Sequence, residues 1–138
     1  MNVKVGDLMT PRVVFAQPHH TVSHVRQMMD HNGVHAIPVV NEAQEPAGIV
    51  SAADLLEQKD ETPVNSIMTE KVYTVSTHDG PHVAARVMRN HRIRHVVVTD
   101  EQKVVGILSA FDLLRLVEDH RFTMKNAPTP SRKSSKRN

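Results

Sequence analysis

The apolar residues of this chain fall into short segments whose spacing alternates between that of a helix and that of a strand. Thr21 is a favourable helix N-cap, and the residues after it follow helical spacing, with Val22, Val25, Met28 and Met29 on one face. Two apolar runs follow at residues 35–40 and 47–50, with a polar turn between them. This order predicts an amphipathic helix followed by a β-hairpin.

The second half of the chain has the same order. Asp79-Gly80-Pro81 supplies a cap with proline near the first helical turn, and the apolar stripe after it consists of Val83, Ala84, Val87 and Met88. Apolar runs at 94–99 and 104–108 predict a second hairpin.

Shorter segments complete each half. Short strands are expected at residues 13–16 and 72–75, before the first helices. Closing helices are expected from Ser51 and from Ser109, the second of them running to about His120. Each half therefore has the predicted order β-α-β-β-α.

The two halves are copies of one unit. A shift of 59 residues aligns Met9-Thr10 with Met68-Thr69, and after a one-residue gap a shift of 58 aligns Ser51-Ala52 with Ser109-Ala110. The predicted fold class is α+β, with one repeat at residues 1–60 and the other at 61–122. Together the repeats form a single module.

Neither repeat has enough large side chains to form a stable core alone. The chain contains no Trp, one Tyr and three Phe, and a unit of about 60 residues buries too little surface to be robust. We therefore expect the two repeats to pack face to face with pseudo-two-fold symmetry. Equivalent loops then meet at a shared cleft that contains two related pockets.

The net charge of +2 comes from the C-terminus. Residues 125–138 carry five of the 17 Lys and Arg and no Asp or Glu, which leaves the rest of the chain with a net charge of −3. Because Pro, Ser, Lys and Arg bury little apolar surface, residues 123–138 are predicted to form a disordered basic tail. Nucleic-acid binding through this tail is a lesser alternative, and it would weaken strongly with salt.

The composition also excludes several classes of site. Cysteine is absent, so disulfides, thiolate metal sites and cysteine nucleophiles are excluded. The N-terminal sequence has neither a basic start nor an apolar run, and no segment approaches the roughly 20 apolar residues of a membrane span. We expect a cytoplasmic protein without membrane contact.

The pattern Gly-apolar-apolar-Ser-x-x-Asp-Leu-Leu occurs twice, from Gly48 and from Gly106. One interpretation is structural, because serine at an N-cap with an acid three residues later forms a capping box worth about 1 kcal/mol. The other is a ligand site, in which the chain after each glycine leaves backbone N–H groups free for an anion. Residue chemistry alone leaves both interpretations open.

The duplicated unit resembles a tandem pair of CBS domains, the regulatory module also called a Bateman module. The resemblance rests on DLMT at 7–10 and SIMT at 66–69, on IPVV at 37–40 and VVVTD at 96–100, and on GIVSAAD and GILSAFD. It implies binding of an adenosyl ligand (AMP, ADP, ATP or S-adenosylmethionine) between the repeats, with Asp accepting ribose hydroxyls and Ser assisting. It also implies a homodimer formed through the helices.

The same resemblance assigns residues to two pockets. The first takes Ser109, Asp112, Arg94 and His95 from one repeat, with Val34, His35 and Val14 from the other. The second takes Ser51, Asp54, His35 and Ala36, with Ile93, Arg94 and Tyr73 opposite. Since phosphates require positive charge, the Asp112 pocket is expected to bind the nucleotide more tightly.

The ten histidines raise the alternative of a metal site. His20 and His24 lie four residues apart with His19 adjacent, but no recognised ligand motif surrounds them, so no metal site is expected. Neither a nucleophile elbow nor a Walker loop is present, and two like carboxylates in symmetric pockets suit binding better than chemistry. No enzymatic activity and no cofactor are therefore expected.

The leading hypothesis is a regulatory module that senses adenosine nucleotides and alters its association with an effector protein of unknown identity. Helical faces with Val25, Met28, Met29, Val87 and Met88 are candidates for the dimer contact, although core packing accounts for about half of them. The alternative is an interaction or dimerisation scaffold that binds no ligand, with Ser and Asp serving as caps.

Overall fold

A computed structural model describes residues 2–10 and 13–120. The helices are α1 (Val5–Leu8), α2 (Val22–Asn32), α3 (Pro81–His91) and α4 (Ala110–His120), and short 3-10 helices lie at Ala53–Leu55 and Val64–Ser66. The strands are β1 (Ala36–Val40), β2 (Pro46–Ser51), β3 (Thr74–Ser76), β4 (His95–Asp100) and β5 (Lys103–Ser109). The predicted basic tail at 123–138 lies outside the described residues.

The strands form one small sheet in each repeat. In the first, β1 pairs antiparallel with β2, and in the second, β3 is parallel to β4, which is antiparallel to β5. Both hairpins show a register shift at the same place, after Val39 and after Val98. The expected α+β architecture of two related repeats is thus confirmed.

The first strand of the first repeat is shorter than predicted. Only Ala16 pairs there, as an isolated parallel bridge to Val39. In the second repeat, the Val97 N–H donates to the carbonyl of Tyr73 at 3.0 Å. The position equivalent to Val97 is Pro38, which has no N–H to donate, so the corresponding hydrogen bond cannot form.

The closing helices also differ from each other. The second, α4, runs to His120 as predicted, whereas the first is a single 3-10 turn. The prediction of a full helix after Ser51 was wrong because the apolar pattern stops at Leu56, and Glu57 then takes a left-handed conformation with φ 64°. No buried face remains to stabilise a longer helix.

The core of each repeat includes residues from the segment that leads into the other repeat. Val5 and Leu8 pack in the core of the second repeat, with Val75, Ala84, Met88, Val96, Val98 and Leu108. Conversely, Val64 packs in the core of the first repeat, with α2, β1 and β2. A third cluster of Val40, Val97 and Val104 joins the two repeats. The repeats are therefore interlocked as well as stacked.

The glycine that begins each of the two repeated motifs is closely packed. A Cβ at Gly48 would lie 2.5 Å from Met68 Sδ, and a Cβ at Gly106 would lie 2.6 Å from Met9 Sδ. Each glycine thus accommodates the methionine that ends the segment exchanged between the repeats.

Candidate functional site

Each Ser-x-x-Asp motif forms a reciprocal pair of hydrogen bonds. The Ser51 N–H donates to Asp54 Oδ2 at 2.8 Å, and the Asp54 N–H donates to Ser51 Oγ at 3.3 Å. Ser109 and Asp112 repeat this arrangement at 2.8 and 3.0 Å. The structural interpretation of the motif is therefore realised in both copies. The bonds use only Oδ2 of each half-buried acid, so among the described residues Oδ1 retains its capacity to accept.

Several of the backbone N–H groups behind the glycines are already hydrogen-bonded, and an anion site at the remaining ones stays a prediction. The Ser51 N–H is bonded to Asp54, and the Ala52 N–H donates to the carbonyl of His35 at 2.8 Å. In the second copy, the Ala110 N–H donates to the carbonyl of Arg94 at 2.8 Å. These particular donors are therefore not available to an anion, and the cationic side chains near the motifs are further candidates for binding one.

A cleft of about 620 Å³ lies beside Ser51 and Asp54, between the two repeats. This volume falls within the range of roughly 300–1,000 Å³ typical of small-molecule sites. The first repeat and the segment after it contribute His35, Ala36, Ile49, Ser51, Ala52, Ala53, Asp54, Thr69, Lys71, Val72 and Tyr73; the second contributes Arg92, Ile93, Arg94, His95 and Val97.

The side chains around the cleft include an acid, several cations and apolar residues. Asp54 is the one acid among the described lining residues, while Lys71, Arg92 and Arg94 are cationic and exposed to solvent. Ile49, Val72 and Val97 supply apolar surface, and Tyr73 adds an aromatic ring. Such a cleft has an acceptor for hydroxyl groups, apolar walls and a set of cations that an anionic group would satisfy.

His95 lies at the junction of the two halves of the site. Burial lowers the pKa of its imidazole, and the positive charges of Arg94 and His35 lower it further, whereas the carboxylate of Asp112 raises it. Its net pKa is below the ordinary value of 6.5. Folding therefore favours the neutral form of the His95 imidazole, which lies near Arg94 and Asp112 of its own repeat and His35 of the other.

The structure brings together all seven residues assigned to the Asp54 pocket. His35, Ala36, Ser51, Asp54, Tyr73, Ile93 and Arg94 all line the same cleft. His95, which was assigned to the Asp112 pocket alone, lines this cleft as well. Whether these residues bind a ligand stays a prediction.

The structure shows part of the pocket assigned to Asp112, because Asp112, Arg94 and His35 all lie close enough to His95 to affect its pKa. Ser109 and Asp112 bond to each other, while Val14 and Val34 pack against the core of the first repeat. Val34 also lines a separate cavity of about 370 Å³ at the end of α2. The ranking of the two pockets stays a prediction.

Two cationic cleft residues, Lys71 and Arg92, were missed at the sequence level. The repeat alignment carries a signal for Lys71, because it places Lys71 opposite Arg12, so that both copies are basic at this position. It carries none for Arg92, which stands opposite Gly33. The other missed lining residues are Ile49, Ala52, Ala53, Thr69, Val72 and Val97.

The cluster of histidines before α2 is poorly arranged for a metal. The rings of His19 and His20 lie 4.8 Å apart, and those of His20 and His24 lie 4.4 Å apart. His20 Nδ1 accepts a hydrogen bond from the Gln17 N–H at 2.9 Å, so the proton of the neutral ring is on Nε2 and no lone pair remains for a metal. Across residues 2–10 and 13–120, no group of three potential ligands converges.

No helix in the described part of the chain combines the length and apolar character needed to cross a membrane.

The fold and the cleft define a class of protein: a tandem-repeat module in which two interlocked α+β units have a cleft between them. The CBS domain profile matches residues 5–61 and 64–119. The chain therefore belongs to the CBS domain family and contains two CBS domains, as the sequence motifs indicated.

Similar proteins include larger chains with additional domains. A homoserine O-acetyltransferase from Methanosalsum zhilinae is 30% identical over 125 residues, which are 88% of this chain but only 25% of that enzyme. A conserved protein from Pyrococcus horikoshii is similar along its length, with a TM-score of 0.74, 26% identity and coverage of 92% of this chain and 98% of that one.

The cytosolic domain of the Mg²⁺ channel MgtE, solved in complex with ATP, gives a TM-score of 0.76 and 30% identity. The similarity covers 84% of this chain and 49% of that domain.

Proposed function

We propose that this chain is a regulatory module that binds an adenosine nucleotide in the Asp54 cleft. The observation that carries the proposal is the position of Asp54, a half-buried carboxylate that lines the cleft with one oxygen uncommitted among the described contacts. A ribose diol offers two adjacent donors, and a carboxylate accepts such donors through charge-assisted hydrogen bonds.

The rest of the cleft suits the other parts of a nucleotide. The β-branched side chains of Ile49, Val72 and Val97 form flat apolar surface for a purine ring. Lys71 and Arg94 supply cationic groups for phosphate. The 30% identity to the MgtE domain, which was solved with ATP, supports the same ligand class for this chain.

Calorimetric titration with ATP, ADP, AMP and S-adenosylmethionine tests the proposal. We expect at least one of them to bind, and we expect Asp54→Asn to weaken binding by about 1.5–3 kcal/mol, since asparagine preserves the capping bond but loses the charge. Asp30→Asn, on an exposed position of α2 outside the cleft, is the matched control. Unchanged affinity in Asp54→Asn would assign the carboxylate to capping alone.

A thermal-shift experiment gives an independent measure. A ligand present at a hundred times its dissociation constant stabilises the folded state by about 2.7 kcal/mol. A panel in which no adenosine compound raises the unfolding temperature would leave the scaffold hypothesis as the better account.

We further propose that nucleotide binding is transmitted through self-association on the outer face of α4. This face exposes three large apolar residues, Phe111 at 78%, Leu114 at 58% and Val117 at 55%. Such a contiguous stripe on a helix indicates an interaction surface. The dimer faces suggested by the sequence are mostly unsuitable, because Val25, Met29 and Met88 are buried in the repeat cores.

Sedimentation velocity of the wild type and of Leu114→Lys tests this association. We expect a dimer for the wild type and a monomer for the variant, because a lysine in an apolar contact must be desolvated. Gln27→Lys, on the exposed side of α2, is the control for added charge. A variant that still sediments as a dimer would exclude α4 as the contact.

A ligand bound between the repeats can alter this association only through different affinities for two arrangements of the module. A regulatory role, rather than catalysis, is the role we propose. The enzyme names among the relatives belong to proteins of which this chain matches a small part. An effector protein and a nucleic-acid contact through the C-terminal tail remain expectations from the sequence.

A further inference from the structure

Arg92 occupies a backbone conformation that arginine rarely adopts. It follows α3 with φ 56° and ψ 44°, and its N–H donates to the carbonyl of Met88. In the first repeat, Gly33 follows α2 with φ 64° and ψ 35°, and its N–H donates to the carbonyl of Met29. The two helix ends are thus the same structure, but glycine fits it without strain and arginine does not.

The strained residue lies at the cleft. Arg92 lines it together with Lys71 and Arg94, so three permanent cations from two segments surround one cavity. Neither of the two ion pairs found within residues 2–10 and 13–120 involves them. Strained residues persist where the surrounding structure or a function maintains them. Three exposed cations gathered at one cleft, where Asp54 is the one acid among the described lining residues, indicate a site for a multiply charged anion.

The repeat alignment makes this feature specific to one pocket. Arg92 stands opposite Gly33, and the cleft residue Tyr73 stands opposite Val14. Lys71 stands opposite Arg12 and Arg94 opposite His35, so both copies are basic at these positions, whereas His95 stands opposite Ala36. The Asp54 pocket therefore has an additional guanidinium that the duplicated sequence does not give to the Asp112 pocket.

We propose that Arg92 is a specificity residue that makes the Asp54 cleft select nucleoside polyphosphates over monophosphates. This inference rests on the proposed nucleotide site, and it reverses the ranking of the two pockets that the sequence suggested. A guanidinium recognises phosphate oxygens in a fixed, bidentate geometry, and its contribution increases with the number of phosphate charges within reach.

The experiment is calorimetric titration with ATP, ADP, AMP and adenosine, on the wild type, Arg92→Gly and Asp54→Asn. For the wild type we expect affinity in the order ATP, ADP, AMP. Arg92→Gly should weaken ATP binding roughly tenfold and AMP binding by less than about threefold, because the distal phosphates lose a charge-assisted partner. Adenosine affinity should not change.

Arg89→Ala is the matched control, since it removes the same charge from an exposed position of α3 outside the cleft. It should leave the ratio of ATP to AMP affinity unchanged. Arg92→Asn is the second variant, because asparagine tolerates the left-handed conformation and keeps the backbone in place. It should behave like Arg92→Gly.

The outcomes separate this inference from the proposed function. If adenosine compounds bind but Arg92→Gly leaves the ATP to AMP ratio unchanged, Arg92 serves only the end of α3, and the inference is wrong while the nucleotide site stands. If none of the four compounds binds the wild type, both fail. A ratio that falls in Arg92→Gly and Arg92→Asn but not in Arg89→Ala supports the inference.

Discussion

Replacing Gly48 by alanine tests whether the packing around this position requires glycine. The new Cβ would lie 2.5 Å from Met68 Sδ, 2.8 Å from Met68 Cγ and 3.0 Å from the carbonyl oxygen of Thr69. Because one of these neighbours is backbone, the side chain of Met68 cannot relieve the overlap alone. Overpacking of this kind typically costs 1–3 kcal/mol, and we expect Gly48→Ala to fall near 3.

Gly106→Ala provides the comparison within the same molecule. Here only Met9 Sδ, at 2.6 Å, is closer than 3 Å, and the next atoms, Cγ and Cε of Met9, are at 3.4 and 3.5 Å. Rotation of one thioether relieves that overlap, so we expect a loss of about 1 kcal/mol. The two substitutions are at equivalent positions of the repeated motif, and they differ only in the atoms that the new Cβ would contact.

Urea unfolding followed by far-ultraviolet circular dichroism gives both free energies of unfolding, provided the slope with denaturant is unchanged. Combining Gly106→Ala with Met9→Ala should cost up to about 1 kcal/mol less than the sum of the single variants, because the smaller side chain removes the overlap. Equal losses at the two glycines, or strict additivity in the double variant, would refute the packing explanation.

Three further predictions concern the exchanged segment, the titration of the site and the missing strand. Val5→Ala should lower the free energy of unfolding by about 2 kcal/mol, because Val5 is buried in the core of the second repeat; hydrogen exchange should then quicken in β3–β5 more than in β1–β2. Since the pKa of His95 is lowered by folding, the unfolded state binds more protons, so stability should fall as the pH falls through 6.5. His95→Gln should flatten that decline in urea titrations at successive pH values, whereas an unchanged slope would contradict it. Pro38→Val restores an N–H opposite the carbonyl of Val14, and a slowly exchanging amide at residue 38 should appear if proline alone prevents the strand.

The sequence predicted the local elements well because the buried residues of a helix or strand recur at short, regular intervals along the chain. The apolar stripes identified α2 and α3, and the β-branched runs identified both hairpins. The same reasoning failed after Leu56, where a favourable helix start has no apolar continuation. It also failed at Pro38, where the missing donor belongs to a neighbouring strand.

About half of the residues that line the cleft were predicted from the sequence, and the other half were not. Ser51 and Asp54 were found through the repeated motif and Arg94 through the resemblance to the CBS family, and the structure places all three on one cleft. Arg92 has no counterpart in the other repeat, so duplication provides no signal for it. Arg92 and Lys71 line the same cleft although they lie about twenty residues apart in the chain, and only folding brings their segments to one site.

By itself, the sequence determined that this protein is a duplicated α+β unit of the CBS family, because duplication and periodicity are properties of residue order. Only the tertiary structure decided that Val5 and Val64 cross between the repeats, that each glycine accommodates a methionine, and which cations surround Asp54. These features depend on how two surfaces meet in space, and no spacing along a single chain encodes that distance.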